Sequence, residues 1–130
     1  MTITVRRDGT TGTRHIVKIR GHEFAVDTSL DGHDAGPSPH DLYDAALAAC
    51  KALTVLVYAQ HKGIPVEEIE VTVDRDDSQE RQGVYKLDAT LHVSGAIGDD
   101  QKAALLRVAG KCPLHKLMTE VKTEIDTRLV

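Results

Sequence analysis

The sequence has no tryptophan and one phenylalanine, so its core must be built from Val, Leu, Ile and Ala. It has only two cysteines, Cys50 and Cys112, too few for a structural disulfide framework. They are either inert buried thiols or the carriers of thiol chemistry. Charge is equally sparse in pattern. Acids and bases are interspersed around a net charge of −4, with no basic stripe and no aromatics spaced to stack on bases. That excludes the usual footprint of a nucleic-acid binder. The N-terminal stretch MTITVRRDG has no apolar core, so no secretory signal is expected and the expected compartment is a reducing cytoplasm. The one long apolar run, residues 45–59, is too short to cross a bilayer and carries Lys51, so no membrane association is expected. No G-x-S-x-G, Walker A or HExxH pattern occurs, and no cofactor is expected.

What remains suits one domain, residues 1–130. Residues 2–7 alternate and predict a strand, followed by a turn at RDGTTG. Residues 14–20 and 22–27 predict two strands joined at Gly21. The loop LDGHDAGPSP then leads to a long helix, with Ser38 as N-cap, Pro39 at N1 and Asp41 at N3. Gly63 and Pro65 end that helix. Ile69, Val71 and Val73 alternate, as do Tyr85, Leu87, Ala89, Leu91 and Val93, which predicts a hairpin across DDSQERQG. Residues 99–110 predict an amphipathic helix whose apolar face is Ala103, Leu106 and Ala109. Pro113 opens a short helix to about Glu120, and residues 121–129 read as a last strand. The order β-β-β-α-β-β-α-α-β predicts an α+β fold with mainly antiparallel sheet.

Chemistry concentrates on few residues. Cys50 lies in the middle of the long helix, where desolvation penalises a thiolate unless a cation is near. The helix itself offers only Lys51. Cys112 precedes Pro113 at a helix start, where free N–H groups favour a thiolate. Cys112 and His115, with Cys50 and His40, would be the components of a zinc site. Asp41 and Asp44 sit where an acid complements the helix dipole; the alternative is a carboxylate that holds a guanidinium in place. Asp44 and Lys51, seven apart, share a stripe that reads as a solvated or interface edge.

The stretch GPSPHDLYDAALAAC, the helix exit YAQHKGIPVEEIEVTV and the motif KCPLHK together resemble the OsmC/Ohr family of bacterial stress proteins. The similarity spans nearly the whole chain. The resemblance implies an intertwined homodimer with long central helices buried between sheets of both chains. It implies a thiol peroxidase acting on organic hydroperoxides. Cys50 matches the peroxidatic cysteine and Cys112 the resolving one. A dithiol, lipoyl or thioredoxin-like, would be the reductant. Arg7, in the RRDG turn, matches the arginine that activates the thiolate, with Arg14 as an alternative. The acid that pairs with this arginine in the family stands ten residues before the cysteine. Here His40 holds that place and Asp41 follows it, a rotation of about 100° along a helix. The competing reading is a non-enzymatic dimer that binds a small apolar or thiol-bearing ligand and keeps its cysteines inert.

Overall fold

A computed structural model describes residues 1–130. The chain forms two compact units, Met1–Tyr43 and Asp44–Val130. Together they are α+β with antiparallel sheets and three helices, as the order of apolar patterns predicts.

In the first unit, β1 (Ile3–Arg7), β2 (His15–Ile19) and β3 (His22–Val26) form an antiparallel sheet in the order β1-β2-β3. Alternation sets its register. Val5 faces Val17, and Val17 faces Phe24. Val17 and Val26 are the buried members, so only part of the sheet is covered within its own unit. The β2–β3 turn places Arg20 at φ 53 beside Gly21. The loop that follows is drawn onto the sheet by Asp27. Its carboxylate accepts from the Thr13 hydroxyl at 2.5 Å, the Thr28 N–H at 2.8 Å and the Ala35 N–H at 3.0 Å. The Thr13 bond leads in holding its pKa down at about 2, and the backbone donors add to it. Gly36 lets the loop return against β3, because a Cβ there would lie 2.5 Å from the Ala25 carbonyl oxygen.

Helix α1 (Pro39–Lys62) starts at the predicted cap. Ser38 Oγ accepts from the Asp41 N–H at 3.2 Å, and Asp41 Oδ2 accepts from the Ser38 N–H at 3.0 Å. This is a capping box with Asp in place of Glu. Gly63, at φ 66, ends the helix, and the Ile64 N–H reaches back to the Ala59 carbonyl at 2.9 Å.

From Asp44 onward the second unit is a hairpin and three helical stretches. β4 (Val66–Asp76) pairs antiparallel with β5 (Lys86–Gly95), Ile69 with Val93, Val71 with Leu91 and Val73 with Ala89. A single 3-10 turn at Glu80–Gln82 sits in the connection. The apolar face of the hairpin meets α1 and α2 (Asp99–Ala109) around Val55, Ala59, Ile64, Leu105 and Ala109. α3 (Pro113–Thr119) closes the series.

Three expectations are corrected. Residues 121–130 form no strand in this chain. A strand needs a neighbour for its N–H and C=O groups, and none of the five strands pairs with this segment, whose Ile125 is 80% exposed. The buried face of α2 is Leu105 and Ala109, while Leu106 is 65% exposed. Leu105 and Leu106 both fit a helical stripe with Ala109, and packing against Val55 and Ala59 selects Leu105. Finally, Asp44 and Lys51 are not a solvated edge. Both are buried, on a stripe with Leu47, Val55 and Ala59. The whole 24-residue helix is also longer than its apolar run, and by length and composition alone it is long enough to cross a bilayer. Its buried acid and base each meet groups of the protein instead.

Candidate functional site

The site grows from the buried stripe of α1. Asp44, Leu47, Lys51, Val55 and Ala59 follow one another at spacings of three and four, so they share a face. Two of the five are ionisable, and each is met by groups from other elements. Asp44 Oδ2 accepts from Arg75 Nε at 2.6 Å, and Asp44 Oδ1 accepts from the Tyr85 hydroxyl at 2.7 Å. Burial and then this bond to an acid push the Tyr85 hydroxyl up to about 12. The pair ties both arms of the hairpin to the first turns of α1.

Lys51 lies two turns further on. Its Nζ donates to the Ala109 carbonyl at 2.8 Å and to His115 Nδ1 at 3.0 Å. The carbonyl belongs to the last turn of α2, where the helix dipole is negative and favours an ammonium. Because the ammonium is a donor only, His115 must accept at Nδ1 and carry its proton on Nε2. Ala109 and His115 each stand three residues from Cys112, one before it and one after. Lys51 is the chain neighbour of Cys50. The two bonds therefore dock the segment that carries the second cysteine onto α1 at the level of the first.

The cysteines differ in setting. Cys112 is fully buried, with β-region backbone (φ −63, ψ 148) as the N-cap residue of α3. Pro113 dictates this, since it disfavours helical geometry in the residue before it and suits the first helical position. Cys50 is half-buried, and its Sγ lies 4.0 Å from the Thr54 hydroxyl one turn on. Lys51, the one cation of this part of α1, is held by Ala109 and His115. The helix thus offers the Cys50 thiol a hydroxyl, not a cation. Both thiols are free.

Arg7 and Asp41 belong to the first unit, the cysteines to the second. Arg7 Nε donates to the Gly12 carbonyl at 3.1 Å, bracing the RDGTTG turn. Arg14 is paired with Asp8 across the base of the same turn. Asp41 serves the capping box. No group of three or more His, Cys, Asp or Glu side chains is placed to hold a metal ion, so Cys50, Cys112, His40 and His115 are not gathered as a zinc site.

The sequence admits a carboxylate that holds a guanidinium at Asp44, but neither Arg75 and Tyr85 as its partners nor the Lys51 clamp is legible there. The signal was present: Asp44 and Lys51 fall in step with Leu47 and Val55. Their burial contradicts the expectation that charge marks a solvated face.

The fold and the motifs can be set beside known proteins. Residues 32–127 match the family model of the OsmC-like proteins. Among solved structures, the OsmC-like protein of Mycoplasma pneumoniae aligns with a TM-score of 0.75 at 18% identity, over 92% of this chain and 87% of that one. The organic hydroperoxide resistance protein OsmC of Legionella pneumophila aligns with a TM-score of 0.62 at 22% identity, over 92% and 90%. The organic hydroperoxide resistance protein OhrB of Bacillus subtilis aligns at 0.60 and 23%, over 92% and 90%. No curated protein matches. The family match spans both cysteines, the long helix and the hairpin between them, and the chain belongs to the OsmC-like family.

Proposed function

We propose that the protein is a thiol-dependent hydroperoxide reductase of oxidative stress defence, working in the cytoplasm as a homodimer. The observation that carries this is the pair of bonds by which Lys51, the chain neighbour of Cys50, holds the residues three before and three after Cys112. The names of the Legionella and Bacillus proteins, both organic hydroperoxide resistance proteins, point the same way.

The chemistry balances with two thiols. The Cys50 thiolate attacks the terminal oxygen of ROOH, the O–O bond breaks, and the alkoxide leaves as ROH with a proton. Cys50 is now a sulfenic acid. The Cys112 thiol attacks its sulfur, a disulfide forms and water leaves. A dithiol, lipoyl or thioredoxin-like, reduces this disulfide and is itself oxidised. The cation that Cys50 lacks on its own helix would be Arg7 of the partner subunit, whose guanidinium keeps its charge at any working pH. Asp41 would orient it.

The dimer is supported by apolar surface that this chain does not cover. Leu53 is 62% and Val57 50% exposed on α1. Ala45, Ala46 and Ala49 continue that face. A second copy laid on it would bury a helix that is apolar on nearly every side.

Intact mass after one equivalent of cumene hydroperoxide tests the cycle. Wild type should lose two hydrogens as the disulfide closes. Cys112→Ser should hold a sulfenic acid that dimedone traps, and Cys50→Ser should not react. No change in all three would overturn the reductase. The second reading, a small-ligand-binding dimer with inert cysteines, would then lead, favoured by Thr54 in place of a cation beside Cys50.

A further inference from the structure

On the Lys51 side of α1 the second unit holds a cleft of about 260 Å³. Leu47, Val71, Leu87, Ala89 and Leu106 form walls of it, and the polar side chains of its lining are Lys51 and His115. Lys51 is only 7% exposed, yet both its partners, a carbonyl and an imidazole nitrogen, are neutral. No carboxylate contacts it. An ammonium has three donors, so one remains after Ala109 and His115. A buried charge without a counter-ion is costly, and such groups are ordinarily paired. The cleft therefore combines an apolar wall with a cation that lacks its anion.

We propose that this cleft binds a small apolar monocarboxylate, its head on Lys51 Nζ and its tail between the hairpin and Leu106. A single lysine with one spare donor suits a monoanion, not a phosphate dianion that calls for a second cation. The size fits a short chain. The cleft exceeds the roughly 150 Å³ that holds benzene in an engineered cavity and falls below the about 300–1,000 Å³ of drug-sized pockets.

Titration calorimetry on the reduced protein, with hexanoate and with hexan-1-ol, tests this without any peroxide present. Hexanoate should bind one per chain, and hexan-1-ol at least about tenfold more weakly, the size of a lost charged hydrogen bond. Lys51→Met should erase that preference. Ala89 is exposed at the cleft wall, so Ala89→Phe should fold normally and exclude both ligands. This second variant decides the matter if Lys51→Met does not fold. Equal affinity for acid and alcohol would overturn the proposal, as would hexanoate binding that survives Ala89→Phe. Absence of binding to wild type would also overturn it, and would favour a second copy of the chain seated in the cleft.

Discussion

Asp44 shows how much one side chain can hold together. Its two oxygens take a guanidinium from β4 and a hydroxyl next to β5. Replacing it with Ala takes that carboxylate from both Arg75 and Tyr85. The expected cost is about 2–3 kcal/mol in a urea titration. Tyr85 also gives the fold an alkaline limit. Its hydroxyl is pushed from 10.0 to about 12 in the folded chain, so folding holds that proton more tightly than the unfolded chain does. The stability it contributes is whole below the ordinary tyrosine range and is lost as pH rises between those two values. Melting temperatures should therefore fall across that window in wild type, and less in Tyr85→Phe. An equal fall in both would remove Tyr85 as the cause.

At the scale of elements, the helices illustrate where periodicity decides and where it does not. α1 begins and ends where Ser38, Asp41 and Gly63 dictate, because caps act through the local backbone. The hairpin keeps its predicted faces for the same local reason, since a slip of one residue would turn Ile69, Val71 and Val73 outward. α2 offers two stripes of similar apolarity, and only the neighbour it meets separates them. Leu105 is fully buried against Val55, whereas Leu106 is mostly exposed. Leu105→Ala should cost about 3 kcal/mol, the usual price of a core cavity. Leu106→Ala should change stability by under about 0.5 kcal/mol. Chemical denaturation of the two variants side by side reads the difference directly, and similar losses would mean that Leu106 is covered in solution.

For the whole molecule, the apolar groups left uncovered are as informative as those in the core. Leu53 and Val57 on α1 and Ile125 in the terminal segment are exposed in this chain. Leu53 and Val57 lie four apart on one face of α1, and an apolar helix face left uncovered marks association. If the proposed dimer forms on this face, wild type should sediment as a dimer and Leu53→Glu as a monomer. The variant should leave far-UV circular dichroism of α1 intact only if the chain folds alone, and a dimer that persists would place the contact elsewhere. The same variant bears on catalysis: if Arg7 reaches Cys50 across the dimer, hydroperoxide reduction should disappear with the dimer.

The residues by themselves determined the α+β class, the ends of α1, the faces of the hairpin strands and the positions of the two cysteines. Each rests on a pattern of neighbouring residues, which is all that a cap, an alternation or a proline requires. Together with the helix exit and the KCPLHK motif, those patterns also made the family legible. Tertiary structure alone decided the rest. It chose Leu105 over Leu106, left residues 121–130 without a strand partner, and buried Asp44 and Lys51 where a charged pair suggested solvent. Those outcomes depend on groups that lie far away in sequence. Lys51 is buried because the Ala109 carbonyl and His115, 58 and 64 residues further along, come to meet it. No local rule encodes that encounter, and the same encounter brings the Cys112 segment to α1.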